Sequence, residues 1–311
     1  ARMYQQTPIG ITVEGANILT RSLMIFGQGA IRSHPYVLKE MQAAHDQNAE
    51  RASLDFDQAF FGHISFSLSN AVRSVLYGLS GGRLIRVPTG APTHRYYQLL
   101  TRYAASFAFA ADIAMLVLGG GLKRKEKLSA RLGDVLSNLY LCSAVLKKFE
   151  DDGRPQADEP LLHWAMEDGL YRIQSAFDGV IQNFPNRFFA LLLRVVVFPL
   201  GQCRKPPSDE RGHQVAALML KPGAVRDRLT AGMYIKYDEQ DAVGALEAAL
   251  ASTLDCEPLQ ARLEKEAKAG KLKAMDEMAR IAEARDHGLI TAEEALQLER
   301  DYMLRRKVIM V

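Results

Sequence analysis

The chain has 311 residues, with 39 Lys+Arg against 36 Asp+Glu, a formal net charge of +3, and it is 48% hydrophobic and 24% charged. That composition supplies apolar surface for one large or two modest cores and so excludes bulk disorder, while the small net charge lacks the phosphate-neutralising excess that a nucleic-acid partner demands. Three separated cysteines, Cys142, Cys203 and Cys256, exclude a disulfide scaffold or a Cys-x-x-Cys metal site within the chain, and are expected to be inert thiols in a reducing compartment.

Long stretches rich in Ala, Leu, Lys, Glu and Arg, separated by short Gly/Pro clusters, predict an all-α protein. The opening ARMYQQTPIG is neither an apolar leader nor an Arg-rich transit peptide, and the chain, starting at Ala1, is expected to be a piece of a longer one. From Asn17 to Phe26, Leu19, Leu23 and Phe26 recur at helical spacing. Gly27-Gln28-Gly29 ends or bends that helix, and His34-Pro35 starts another that reaches Ala44. The polar, aperiodic AHDQNAERASLDFDQ then predicts a linker and a domain boundary.

Four long helices follow, over 57–79, 93–118, 123–150 and 161–184, broken by Gly81-Gly82 with RVPTGAPTH, by Gly119-Gly120-Gly121 and by DDGRPQADEP. Their short connections predict an antiparallel bundle over roughly residues 55–200. Beyond Pro206-Pro207, Ser208 is a helix N-cap, Lys221-Pro222-Gly223 closes that helix, and several short helices are expected. Thr291-Ala292-Glu293-Glu294 has capping-box spacing and opens a last helix reaching about Arg306. The domains expected are therefore 1–45, 46–205 and 206–311.

Two apolar stretches bear on membrane contact. The one from Tyr103 to Leu122 is interrupted by Asp112, which at a bilayer centre costs ~2.5–3.5 kcal/mol, so it reads as a buried bundle helix. The other, RFFALLLRVVVFPL from Arg187, is too short to span. It reads either as core or as an interfacial segment over 187–205, in which Arg187, Arg194 and Arg204 or Lys205 meet lipid headgroups while Phe and Leu enter the acyl boundary.

Chemistry-bearing patterns are few. There is no Walker motif and no GxGxxG following a strand. The seven histidines have no HxxxH or HxxE spacing, so no metal site is expected. Gly119-Gly120-Gly121 ahead of Lys123-Arg124-Lys125 reads as a turn and an exposed basic face rather than a phosphate cradle. The segment least explained by packing is Thr12-Val13-Glu14-Gly15-Ala16-Asn17, a carboxylate and a glycine among apolar neighbours at a helix N-terminus. Burial there would make Glu14 a usable base; the alternative is a first-turn acid favoured by the helix dipole.

TVEGANILTR resembles the catalytic Glu-Gly stretch of the acyl-CoA dehydrogenases. Over PIGITVEGANILTRSLMIFGQGAIRSHPYVLKEM, LGGGLKRKEKLSARLGDVLSNLYL and FPLGQCRKPPSDE the chain is similar to the long bacterial members that act in fatty-acid β-oxidation. The resemblance implies that residues 1–45 end the catalytic helical domain and that the rest is an additional helical region. It implies a flavoprotein oxidoreductase that converts fatty acyl-CoA to trans-2-enoyl-CoA. Glu14 would be the catalytic base, Gly15 would lie against substrate, and Ala16, Asn17 and Ile18 would lie at FAD. Many relatives have Thr at the position of Ala16 and Gln at that of Ile18, so flavin contact there would be through backbone or apolar atoms. An electron-transfer flavoprotein as acceptor and a homo-oligomer are likewise implied; the location expected from the thiols is cytoplasmic, with peripheral contact on the inner face of the cell membrane as the alternative that the 187–205 segment offers. The family's N-terminal and middle domains are not in these residues, so the fragment alone is expected to be inactive. The competing expectation is a non-catalytic oligomerisation or membrane-docking module.

Overall fold

The computed structural model describes residues 29–309. Among these, twelve α-helices and two 3-10 segments account for the regular structure and there is no strand, as an all-α chain requires. The chain divides into two compact units, Ala1–Gly212 and His213–Val311.

The first unit begins with α1 (Gly29–Ser33) and α2 (Val37–Ala44), followed by the long α3 (Ala49–Leu79). The linker expected over 44–58 is helical from Ala49 onward. Asn48 caps this helix by accepting the Arg51 N–H at 3.1 Å, and Asp46 accepts from Asn48 N at 2.9 Å. Its first turns carry Leu54 and Phe56 on solvent-facing positions, so they have no buried stripe to produce a period.

Next come α4 (His94–Leu118), α5 (Glu126–Asp151), α6 (Glu159–Gln182) and α7 (Arg187–Val197). α4 packs on α3, α5, α6 and α7 and is the central helix. Its hydropathy and length would let it cross a membrane. Instead its buried positions, Leu99, Tyr103, Ser106, Ala110 and Ala114, face helix neighbours at steps of three and four, and Gln98, Arg102 and Asp112 are buried with them. A 3-10 segment over Gly119–Arg124 receives the chain through Gly119, whose φ of 47° disfavours a side chain.

α5 and α6 form the closest pair. Leu128, Leu132, Val135, Leu139, Cys142, Leu146 and Phe149 line one side at alternating four- and three-residue steps. They meet Leu162, Met166, Leu170, Ile173, Phe177 and Val180 of α6. Fully burying each large aliphatic side chain contributes ~1.5–3 kcal/mol, so this seam holds much of the unit's stability. Gly169 lets the helices touch, since a Cβ there would overlap Cys142 Sγ.

α7 is buried on one face only. Leu193, Val196 and Val197 enter the core, whereas Phe188 is 70% and Leu191 61% exposed. Pro199 then fills the space that Gly78 of α3 leaves open.

The second unit contains α9 (Ala224–Leu229), α10 (Ala242–Lys268), α11 (Glu277–Asp286) and α12 (Ala292–Ile309); α8 (Asp209–Leu220) leads into it. Where several short helices were expected, α10 runs 27 residues straight through Pro258. Its start is fixed by Asp241, which accepts from Val243 N at 3.0 Å and Gly244 N at 3.2 Å. Cys256, Leu263, Ile281, Ala284 and Leu298 form the small core. Asp301, fully buried, accepts from Thr253, Gln260 and Arg305 at 3.0, 2.9 and 2.8 Å. The predicted capping box at α12 is present: Thr291 N donates to Glu294 at 2.8 Å and Glu294 N donates to Thr291 Oγ1 at 3.1 Å.

Candidate functional site

Glu14, Gly15, Ala16, Asn17 and Ile18 lie outside the described residues, as does the expected helix over 17–26. What the structure describes is how the chain leaving that segment is seated. The α1–α2 turn inserts His34 and Tyr36 against α3 and α4. His34 Nδ1 accepts the backbone N–H of Tyr36 at 3.2 Å and of Val37 at 3.1 Å. That leaves Nε2 as the N–H end of the ring, and it lies 3.0 Å from Asp112 Oδ1. The N–H points off the line to the oxygen, so the contact is a close charge–dipole approach rather than an aligned hydrogen bond.

Asp112 is only 6% exposed and draws on α3 and on the α1–α2 turn. Its Oδ2 accepts from Ser67 Oγ at 2.5 Å, and His63 Nε2 of α3 lies 3.8 Å from its Oδ1. His63 is oriented from its other side by Glu40 of α2, at 2.9 Å from Nδ1. The rings pack together: His34 and His63 centroids are 4.5 Å apart, and Phe66 meets His34 edge-on at 5.3 Å. Gly62 is required here, because a Cβ would come within 2.5 Å of the Tyr36 ring. Two largely apolar cavities flank the group. One, of about 460 Å³, is lined by His34, Phe66 and Met115; the other, of about 550 Å³, by Phe60, His63 and Leu116.

His34, His63 and Asp112 bring one potential ligand atom each within 4.8 Å of one another, a juxtaposition that the histidine spacing in the sequence does not reveal. The backbone donors on His34 Nδ1 decide how it is used. With that lone pair occupied, Nε2 keeps its proton and is not presented to a cation. The group therefore acts as an anchor. It fastens the α1–α2 turn to the bundle through His34 of the turn, Glu40 of α2, His63 and Ser67 of α3 and Asp112 of α4.

A second polar concentration lies at the other end of α4. A cavity of about 570 Å³ is walled by Arg95, Tyr96, His163, Glu167, Arg204 and Arg211, with others. Tyr96 Oη and His163 Nδ1 are 2.7 Å apart. Burial first, then the Glu167 carboxylate, pushes the Tyr96 hydroxyl up to about 12. Burial first, then Arg211, lowers the His163 imidazole. Cys203 borders this cavity and departs from the expectation of inert thiols. Burial alone would raise it, but the Arg204 guanidinium, by hydrogen bond and charge, with Arg102 behind it, brings it below the usual thiol range. Cys142 shows the opposite, pushed up to about 11 by burial.

The Gly119–Gly121 turn has open space around each glycine and forms no closed cradle. Arg187 and Arg194 sit at one edge of the exposed α7 face, with Phe188, Leu191 and Val195 beside them.

The architecture thus defines a helical-bundle module with a docked N-terminal lead-in. Residues 31–311 match the family described as acyl-CoA dehydrogenase, C-terminal, bacterial type, and the chain belongs to that family. No solved structure matches the chain.

Proposed function

We propose that the chain is the C-terminal portion of a flavin-dependent dehydrogenase that converts fatty acyl-CoA to trans-2-enoyl-CoA in fatty-acid β-oxidation, with Glu14 as its base. The observation that carries this reading is the family match: it starts at Ile31, 16 positions beyond Gly15 in the same chain. The His34–Asp112 anchor supports it, because a base must be precisely positioned and the described chain downstream of it is held at a fixed point.

In this reading Glu14 takes the α-proton of the thioester. Such a proton is too weakly acidic for a carboxylate unless the developing enolate is stabilised. The Glu14 backbone N–H would serve as one donor to the thioester oxygen, and donors of that kind commonly contribute ~2.7–4 kcal/mol. FAD, when bound, accepts the β-hydride and passes its electrons to an electron-transfer flavoprotein. Gly15 would leave room for substrate, and Ala16, Asn17 and Ile18 would offer backbone and apolar contacts to flavin. In the full-length enzyme, Glu14→Gln should abolish turnover while the protein remains yellow and flavin-loaded. Turnover retained within tenfold would refute the assignment.

A second role is favoured by α7. Its bare Phe188, Leu191 and Val195, edged by Arg187 and Arg194, have the pattern of a helix lying on an anionic membrane face, which would place the enzyme on the inner surface of the cell membrane. Phe188→Ser with Leu191→Ser should remove co-sedimentation with phosphatidylglycerol vesicles without unfolding the chain. Unchanged co-sedimentation, or none in the parent, would eliminate this role. The exposed stripe Phe61, Ile64, Leu68, Val72 and Leu76 of α3 is the surface we assign to homo-oligomer formation.

A further inference from the structure

We propose that the cavity between α4, α6 and the 203–211 segment is a binding site for a phosphate-type polyanion. Arg95, Arg204, Lys205 and Arg211 stand on its walls against one carboxylate, Glu167. That carboxylate is already engaged by Arg211 Nε at 3.1 Å. Among the described residues, no carboxylate lies within ion-pair distance of Arg95, Arg102, Arg204 or Lys205.

The arginines are costly where they stand. Arg102, behind the wall, is 3% exposed, donates to the Val197 carbonyl at 3.2 Å, and leaves its buried Nε without an acceptor. Arg204 Nε is also buried and without an acceptor. Removing a charge from water without a counter-charge is unfavourable, and neighbouring cations add repulsion. That repulsion is visible at Arg95, whose guanidinium is lowered by burial first and then by Arg204, Arg83 and Arg102. A multiply charged anion in the cavity removes both penalties at once.

The site is also held ready. Gln174, 4% exposed, accepts from Cys203 N at 3.0 Å and from Arg204 N at 2.8 Å. Its Nε2 donates to the Arg204 carbonyl at 3.0 Å, so the backbone beneath that arginine is clamped at three points. Arg95 Nη1 is steadied by Gln98 at 2.9 Å. Planar guanidinium forks match tetrahedral phosphate oxygens, and the excess of three positive charges on the walls suits a dianion or polyanion better than a single carboxylate. The volume of about 570 Å³ exceeds what one phosphate fills, so the group is carried on a larger molecule, either a soluble phosphate ester or a lipid headgroup.

Calorimetry and thermal melts on the full chain test this with four probes: inorganic phosphate, pyrophosphate, free coenzyme A, and phosphatidylglycerol vesicles against phosphatidylcholine ones. Pyrophosphate should bind saturably, raise Tm, weaken with salt, and slow alkylation of Cys203 by neutralising Arg204. Arg95→Gln with Arg204→Gln should weaken binding at least tenfold. Arg204→Gln alone should leave the ligand-free protein as stable as the parent or more so, because it removes a repelling charge. Saturable binding of coenzyme A without vesicle binding assigns a soluble ester. Vesicle binding that survives Phe188→Ser with Leu191→Ser, is lost in the double Gln variant and is competed by pyrophosphate assigns a headgroup. No saturable binding of any probe, binding unchanged in the double Gln variant, or marked destabilisation by Arg204→Gln would each overturn the proposal. Flavin loading plays no part in these readouts, so they stand apart from the fate of Glu14.

Discussion

Replacing Asp112 by Ala tests whether the lead-in to the bundle is fastened by the buried carboxylate. Asp112 accepts from Ser67 and faces His34 Nε2 at 3.0 Å, and the Asp112 and His34 side chains are 5% and 7% exposed, so solvent does little to screen the contact. A hydrogen bond to a charged acceptor is worth about 1.5–3 kcal/mol, and the His34 contact, being misaligned, adds less. The Ala variant strands Ser67 Oγ and the His34 N–H in apolar surroundings, for a total loss of about 2–4 kcal/mol. Asp112→Asn keeps an acceptor for Ser67 and should lose roughly half as much. The single Trp164 lies on α6 within the same unit, so urea unfolding followed by its fluorescence reports the unit that contains the anchor. In a double-mutant cycle with His34→Ala the coupling should be about 1–2 kcal/mol, and amides of α2 should exchange faster in either single variant. A loss below about 1 kcal/mol for Asp112→Ala, or additivity within ~0.3–0.5 kcal/mol, would refute the anchor.

Gly169→Ala should cost about 1–3 kcal/mol in chemical denaturation, because its methyl overlaps Cys142 Sγ; Cys142→Ala in the same chain should recover most of that, whereas simple additivity would disprove the contact. Among the three thiols Cys203 should alkylate first near neutral pH. Its rate should rise with pH around a midpoint below the ordinary thiol value, since the fold favours the thiolate there, and Arg204→Gln should move that midpoint up; an unmoved midpoint would remove Arg204 as the cause.

The bundle was legible wherever a helix buries a continuous stripe. Leu128 to Phe149 and Leu162 to Val180 repeat at steps of three and four because each stripe faces another helix along its length, and the period survives in the sequence. The start of α3 was not legible, since Leu54 and Phe56 face solvent and leave no period to read. α10 was missed for the opposite reason: Pro258 suggests a stop, and only tertiary packing of Cys256 and Leu263 on either side of it carries the helix through. Neither polar cluster could be found from spacing. His34, His63 and Asp112 come from the α1–α2 turn, α3 and α4, and Cys203 owes its altered thiol in part to Arg102, which lies on α4, far upstream in the chain. Local sequence reports one residue's own helix face, whereas each cluster is made by the helices that face it.

Both clusters are built on the same helix, and that placement bears on what they are for. Arg95 and Asp112 lie 17 positions apart on α4, which at ~1.5 Å per residue separates them by about 25 Å along the axis. Arg95 stands in the first turn, where the helix dipole disfavours a cation by about 0.3–1 kcal/mol, and Arg102 is buried further along without a carboxylate. Helix stability alone would select neither residue at those positions. An anion in the cavity reverses the sign of every contribution, being attracted by the helix N-terminus and by the cations together. At the other end Asp112 accepts from Ser67 and has His34 and His63 beside it within the unit, although its Oδ1 and His34 Nε2 make no aligned hydrogen bond. One end of α4 therefore sets its carboxylate beside histidines from within the unit and fixes the α1–α2 turn, while the other gathers cations without a matching carboxylate and is open to a ligand.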